Sequence, residues 1–253
     1  MTQKQKPRRP LLGAHMSIAG GVGNALLLGA KVQCEAIQIF TKSSRQWACK
    51  PYTEEEIAQY RENQKTTGIK KVIAHDSYLL NLGSPDVVLR QRSILAFIDE
   101  MERCETLGIS NLIAHPGSHV GSGEDQGLKT IASSLNEVHQ ACPGYNVNVT
   151  LEITAGQGSN LGYRFEHIVR MFDATRENER LRVCPAFLES DREEAEGRGG
   201  EPGGDSTGDG VVGGVSCEGA VVCVGLLVLA TCNFVALKQS MRTLPKNKQG
   251  KAK

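Results

Sequence analysis

Residues 71–75 read Lys-Val-Ile-Ala-His, and residues 111–115 read Asn-Leu-Ile-Ala-His. Each segment is a short apolar run that ends in a histidine, and the two histidines are 40 positions apart. Short runs rich in Ile, Val and Leu are typical of strands buried on both faces of a parallel sheet. The spacing leaves room for one helix between neighbouring strands, which predicts repeated βαβ units.

Six such runs alternate with helix-periodic segments along the chain. The predicted strands are Leu11–His15, Ala36–Phe40, Lys71–His75, Asn111–His115, Val147–Glu152 and Leu181–Cys184. The predicted helices are Gly23–Ala30, Glu54–Thr67, Pro85–Leu107, Gly127–Ala141 and Arg164–Glu177. Thr53 and Glu56 predict a capping box at the start of the second helix, and Gly108 is the glycine expected after the third.

The composition is ordinary for a chain with a core, since 40% of residues are hydrophobic and 23% are charged. A formal net charge of +1 excludes binding of nucleic acid through overall charge, although a local basic patch stays open. The eight cysteines include no C-x-x-C pair. This spacing argues against a disulfide framework and against a zinc site built from cysteines, so we expect reduced thiols.

The chain changes character after Cys184. We divide it into a basic arm (1–10), a βα-repeat domain (11–184), a Gly-rich acidic linker (185–218), an apolar segment (219–237) and a basic tail (238–253). The composition of the linker predicts disorder. The apolar segment holds 19 uncharged residues, which is the lower limit for a membrane-spanning helix. We favour the other interpretation, an apolar run without a folding pattern.

Ionisable side chains end four of the predicted strands, namely His15, His75, His115 and Glu152. The carboxyl ends of successive parallel strands converge on one face of an α/β barrel, where such barrels hold their active sites. Two imidazoles and one carboxylate there match a zinc site with an open position for water. Clusters of this kind also build metal-free sites, and His and Glu ligands accept several metals.

Two loops follow the second and third strands. Residues 40–47 read Phe-Thr-Lys-Ser-Ser-Arg-Gln-Trp, and residues 75–83 read His-Asp-Ser-Tyr-Leu-Leu-Asn-Leu-Gly. In the first loop, Lys42 and Arg45 are candidates to hold phosphates. In the second, Tyr78 and Leu79 are candidates to enter a duplex at a missing base. Both loops also fit a structural role, in which the tryptophan packs on the rim and the Tyr–Leu pair caps the core.

The chain resembles the endonuclease IV family over about residues 11–184. The motifs that carry the resemblance are Gly-Ala-His-x-Ser at 13–17 with Gly-Gly at 20–21, the two loops above, Phe-Ile-Asp-Glu-Met at 97–101, His-Pro-Gly-Ser-His at 115–119 and Leu-Glu-x-Thr-Ala-Gly-Gln-Gly-Ser-Asn-Leu-Gly at 151–162. The resemblance implies a TIM (β/α)8 barrel, here truncated to about six βα units. It also implies a zinc-dependent hydrolase of base-excision repair, which cleaves the phosphodiester 5′ of abasic sites in double-stranded DNA.

Members of that family hold three zinc ions. By this resemblance, His75 and His115 correspond to ligands of the first zinc. Glu152 corresponds to the carboxylate that bridges the first and second zinc, and we assign it the catalytic role. The implied DNA-contacting residues are Arg45, Tyr78 and Leu79. The roles of His15 and His119 stay open.

The resemblance stops at Cys184. The family's later ligand motifs, Asp-x-x-Cys-His, a further His, Asp-x-His and a final Glu, have no counterpart, and no histidine follows His167. We therefore expect a complete ligand set for one zinc only, an impaired enzyme, and a six-strand sheet with two open edges. His139 and His167 lie in predicted helices, where we expect surface or packing roles.

Two other functions stay open: a xylose-isomerase-like sugar isomerase or epimerase, and a non-catalytic isoform that binds DNA or is tethered to a membrane. The first leaves the two loops unexplained. The expected partner is double-stranded DNA with abasic sites, and we expect neither an organic cofactor nor a membrane partner. A basic cluster in residues 4–9 and the lack of an apolar leader favour the nucleus or cytoplasm, with the mitochondrion left open.

Overall fold

The computed structural model describes residues 11–184 and the backbone of two short strands further along, Val221–Cys223 and Leu227–Leu229. The predictions for residues 1–10, 185–218 and 238–253 lie outside the described residues, as does the apolar segment apart from those two strands. In the part of the chain that is described, no helix is both long and apolar enough to cross a membrane.

Strands and helices alternate as the sequence predicts. The strands are β1 (Leu11–His15), β2 (Ala36–Phe40), β3 (Lys71–His75), β4 (Asn111–Ala114), β5 (Asn148–Glu152), β6 (Leu181–Cys184), β7 (Val221–Cys223) and β8 (Leu227–Leu229). The helices are α1 (Asn24–Lys31), α2 (Glu54–Thr67), α3 (Val87–Leu107), α4 (Glu124–Ala141) and α5 (Phe165–Ala174), and a 3₁₀ turn at Asn178–Arg180 precedes β6. The predicted six-unit βα architecture is confirmed.

The first six strands pair in chain order, and every pair is parallel. The expectation of two open edges is wrong at β1, because β7 pairs with β1 in parallel and β8 pairs with β7 antiparallel. An edge strand presents unpaired N–H and C=O groups that can pair with another extended segment. The two strands in the apolar segment supply such a partner. Among the described residues, β6 pairs with β5 alone, so that edge stays open and the ring is not closed.

Local signals explain most helix boundaries. The capping box at Thr53 and Glu56 is present, and Gly108 ends α3 with a φ of +73°. The third helix begins two residues later than predicted because the Asp86 side chain accepts hydrogen bonds from the N–H groups of residues 88 and 89. The fourth begins three residues earlier than predicted, at Glu124, and the N–H of Gly127 donates to the carbonyl oxygen of Gly123 in its first turn.

The main core lies between the sheet and its helices, and it includes the fully buried rings of Tyr60, Phe97 and Phe172. A smaller cluster covers the inner face of the curved sheet and consists of Ala36, Ile73, Ile113 and Cys184, with Leu11 against it. Alternate residues of a strand share a face. The residues two positions beyond Ile73 and Ile113 therefore lie on the inner face, at the carboxyl end of the sheet.

Strands β1 and β2 approach closely at Gly13, where an added Cβ would lie 2.0 Å from the carbonyl oxygen of Ala36. We expect Gly13→Ala to lower the free energy of unfolding by about 1–3 kcal/mol, because two backbones would have to separate. Urea denaturation followed by circular dichroism measures the change. Leu12→Ala on the same strand is the control, since half of that side chain is exposed and its loss should cost about 0.5 kcal/mol. Equal losses in the two variants would contradict this account.

Candidate functional site

Three ionisable side chains meet at the carboxyl ends of neighbouring strands. They are His75 at the end of β3, His115 directly after β4 and Glu152 at the end of β5, and their ligand atoms all lie within 4.8 Å of one another. Glu152 Oε2 lies 3.3 Å from His75 Nε2 and 3.4 Å from His115 Nε2. His75 and Glu152 are buried, whereas the side chain of His115 is 50% exposed. We call these residues the triad.

The residue after His75 fixes the orientation of its ring. His75 Nδ1 lies 2.8 Å from the carbonyl oxygen of Asp76 and 3.2 Å from its carboxylate, so Nδ1–H donates there and Nε2 faces the triad. Burial acts to lower the pKa of His75, but hydrogen bonds and charges from Asp76 and Glu152 outweigh it and raise that pKa well above its usual range. Burial acts to raise the pKa of Glu152, yet His115 and His75 lower it to about 2.

The donor set of the triad fits a tetrahedral divalent metal such as zinc. Ligand atoms about 2.0–2.1 Å from a zinc ion lie roughly 3.3 Å from one another in a tetrahedron. The two separations that involve Glu152 are 3.3 and 3.4 Å, and the separation between the two histidines is at most 4.8 Å. The carboxylate of Asp76 lies beside His75 Nδ1, and metal-ligating histidines usually have such a hydrogen-bond partner on their other ring nitrogen. Within residues 11–184, no other group of three His, Cys, Asp or Glu side chains is this close.

Aromatic rings form one wall of the site. The Tyr78 ring lies 5.5 Å from the ring of His75, 6.2 Å from that of His115 and 5.5 Å from that of Phe40. Tyr78 is 67% exposed, and Leu79 beside it is half-buried. Of the two predicted intercalating side chains, the tyrosine therefore stands next to the triad and faces solvent.

Lys42 does not hold phosphates, which corrects the prediction from the sequence. Its side chain is buried, with Nζ 2.7 Å from Asp99 Oδ2 and 3.4 Å from Glu100 Oε1, and it also donates to the carbonyl oxygen of Ala96. The loop pattern hides this because the partners are more than 50 residues away, on α3. An ammonium group that is buried and already bonded to Asp99 and to the carbonyl oxygen of Ala96 is not available to a phosphate.

The rest of the loop after β2 is at the surface. Arg45 is exposed, as a residue that contacts DNA would be. Trp47 is half-buried, and the guanidinium of Arg92 lies 4.2 Å from the centroid of its ring. The tryptophan therefore packs at the rim through a cation–π contact, in agreement with the structural alternative.

The remaining histidines lie outside the triad. His139 and His167 are buried in α4 and α5, so of the two expected roles the structure selects packing. His119 accepts a hydrogen bond from the N–H of Gly123 and belongs to a turn. His15 is exposed, and its ring lies 4.6 Å from that of the aromatic residue that ends β2.

Asn81 ties the loop after β3 to the loop after β4, and the sequence pattern did not single it out. Its Oδ1 accepts from the N–H groups of Ser118 and Gly83, and its Nδ2 donates to the carbonyl oxygen of Ser118. Gly117 has a φ of +122°, and a Cβ there would lie 2.7 Å from Asn81 Oδ1. The sequence does not show that the two loops face each other, so no sequence signal marks this bridge.

Glu100 is the second residue that sequence reasoning missed. It is buried in α3, and both carboxyl oxygens accept from the N–H of Ser77, at 3.3 and 3.2 Å. Burial raises its pKa to about 8; the charge of Asp76 adds to this, and Lys42 acts against it. A charged residue within the apolar stripe of a helix was the available signal.

The model of the xylose isomerase-like TIM barrel family matches residues 27–189. The chain belongs to that family. Among curated relatives, the probable endonuclease 4 of Chloroflexus aggregans is 48% identical over 175 residues, or 69% of this chain and 61% of that protein. The probable endonuclease 4 of Geobacter sulfurreducens is 44% identical over 173 residues, or 68% and 58%. The resemblance to endonuclease IV is confirmed.

Solved structures with a similar fold are also found. Endonuclease IV from Thermus thermophilus is 29% identical with a TM-score of 0.60, over 70% of this chain and 62% of that one. A D-psicose 3-epimerase from Clostridium cellulolyticum is 15% identical with a TM-score of 0.53, over 69% and 63%, which shows a shared fold alone. The chain thus spans about 61% of the length of the curated relatives that it matches.

The pKa of Glu100 predicts a pH dependence of stability. The folded chain keeps a proton on Glu100 up to about pH 8, whereas the unfolded chain releases it near 4.5. The protonated Glu100 therefore contributes its full stability to the folded chain below pH 4.5, and this contribution is lost as the pH rises toward 8. Relative to Glu100→Gln, the parent should lose about 1–3 kcal/mol of unfolding free energy between about pH 5 and pH 8.5. Urea midpoints test this, and a constant difference would contradict it.

Proposed function

We propose that this chain is an endonuclease IV-type hydrolase that cleaves the phosphodiester 5′ of abasic sites in double-stranded DNA, with zinc as its metal. The observation that carries the proposal is the triad with the exposed ring of Tyr78 at its side. The identity of 44–48% with proteins named probable endonuclease 4 supports it. Because the chain spans about 61% of the length of those relatives, we assign their activity to it only as a proposal.

The zinc ligands in this proposal are His75 Nε2, His115 Nε2 and an oxygen of Glu152. When bound, zinc polarises a phosphoryl oxygen and acidifies water. The chain's own contribution is to hold the three donors within 4.8 Å and to leave the His115 side open to solvent. Asp76 keeps the ring of His75 in the tautomer that a metal requires.

Tyr78, Leu79 and Arg45 are the DNA-contacting residues in this proposal. Enzymes that act on an extruded nucleotide fill the gap in the stack with apolar or aromatic side chains. Tyr78 is 67% exposed and sits beside the triad, so a ring in the duplex keeps the lesion near the reacting phosphate. The guanidinium of Arg45 is exposed and can contact DNA phosphates or bases near the lesion.

We further propose that the activity is weak. Displacement at phosphorus is most effective when metal ions contact both the attacking and the leaving oxygen. Within residues 11–184 there is one group able to hold a metal ion, and no histidine follows His167 in the sequence. A single metal leaves one of the two oxygens without its counter-charge.

The experiment is incision of a duplex oligonucleotide with one tetrahydrofuran abasic analogue by the full chain loaded with zinc. We expect slow cleavage 5′ of the lesion that stops when a chelator is added. Glu152→Gln should lower the rate by about 100-fold or more, because it removes a charged ligand. His119→Ala, in a turn outside the triad, is the matched control and should stay within about 3-fold of the parent.

Each alternative has its own outcome in this experiment. Cleavage that survives the chelator or Glu152→Gln would contradict the proposal. Lesion-specific binding without any cleavage would favour a non-catalytic DNA-binding isoform. Epimerisation of a ketose, with no binding of DNA, would favour the sugar-epimerase alternative that shares the fold.

A further inference from the structure

The two loops that carry the proposed DNA contacts are bonded to each other. Ser77 Oγ donates to the carbonyl oxygen of Ser44 at 2.7 Å and accepts from the N–H of Leu79 at 3.3 Å. Ser77 directly precedes Tyr78, and Ser44 directly precedes Arg45. The Ser77 side chain therefore joins the backbones of the two loops, next to the side chains that the proposed function places on DNA.

Both loops are also anchored to α3 through buried polar side chains. The carboxyl group of Glu100, which is 1% exposed, accepts from the N–H of Ser77 through both oxygens. Lys42 Nζ lies 3.4 Å from Glu100 Oε1 and donates to the carbonyl oxygen of Trp47, at the far end of the Arg45 loop. Helix α3 thus holds the Tyr78 loop through the carboxyl group of Glu100, and the ammonium group of Lys42 ties the Arg45 loop to the same helix.

Stability does not account for this arrangement. Burying a carboxyl group and an ammonium group costs free energy, and well-packed apolar residues in their place are often neutral or stabilising. What these two groups add is direction, because a buried carboxyl or ammonium group must face its partners at hydrogen-bond distance. Sites of this kind depend on placement to within about 0.5 Å by side chains behind them.

We propose that Glu100 is a positioning residue that, through Ser77 N–H and Lys42, sets the Tyr78 and Arg45 loops in the arrangement that lesion recognition requires. This inference rests on the proposed function. Glu100 itself touches neither the triad ligands nor DNA in this account. Its effect passes through the backbone of Ser77 and the side chain of Lys42.

The test uses the full chain with Glu100→Leu, which removes the acceptor, and Glu100→Gln, which keeps one. Glu105→Leu is the matched control, since Glu105 is on the same helix and accepts from the N–H of Asn146, at the other end of the sheet. Hydrogen exchange without DNA is the first measurement. We expect the amides of residues 43–47 and 76–80 to exchange about 10-fold faster in Glu100→Leu, as for loss of a hydrogen bond to a buried acceptor.

Glu100→Gln should stay within about 3-fold of the parent in both loops, because its amide oxygen still accepts from Ser77. Glu105→Leu should leave both loops unchanged. If Glu100→Leu does not fold, Ser77→Ala replaces it, since it breaks the bond to Ser44 and should speed exchange in residues 43–47. Unchanged exchange in the loops of a folded Glu100→Leu or Ser77→Ala variant would overturn the proposal.

The second measurement is the ratio of dissociation constants for intact duplex and for duplex with the tetrahydrofuran analogue, at constant zinc content. We expect this ratio to fall about 10-fold in Glu100→Leu and to be largely restored in Glu100→Gln. An unchanged ratio despite faster exchange would overturn the role in recognition. A parent without lesion preference would instead refute the proposed function and, with it, that role, while the exchange data still decide whether Glu100 holds the loops.

Discussion

Parallel pairing of β3, β4 and β5 is the constraint on which the site depends. His75 is opposite Ile113, and Ala114 is opposite Leu151, so the three strands end at nearly the same height. Because side chains alternate between faces, a slip of one residue in any strand would turn its terminal ionisable group away from the others. The register of the buried apolar residues thus brings three donors from distant parts of the chain within 4.8 Å.

The site is also shaped by what lies behind it. The buried side chains of Glu100 and Lys42, with the half-buried Asp99, form a polar layer between α3 and the loops, and Asn81 joins the loops after β3 and β4. Loops on their own are variable in position. Here hydrogen bonds from these polar groups hold the loops in position. The Tyr78 ring on one of these loops is exposed to solvent.

Periodicity predicts most of the fold, because buried parallel strands and amphipathic helices leave strong local patterns. The strand ends also predict the triad, since His75, His115 and Glu152 each close an apolar run. The sequence does not show long-range contacts. The partners of Lys42, a loop residue, are on α3, and nothing in the loop sequence distinguishes a buried lysine from a solvated one. The pairing of β7 with β1 could not be predicted either, because an apolar run does not show which strand it will pair with.

The central claim is that the triad, rather than the cysteines, is the metal site. X-ray absorption at the zinc K edge of the full chain loaded with one zinc measures the ligand type directly. We expect nitrogen and oxygen neighbours at about 2.0–2.1 Å, with the multiple scattering of two imidazoles and no sulfur. A zinc–sulfur distance of about 2.3 Å would contradict the claim, since it would place the metal on cysteines.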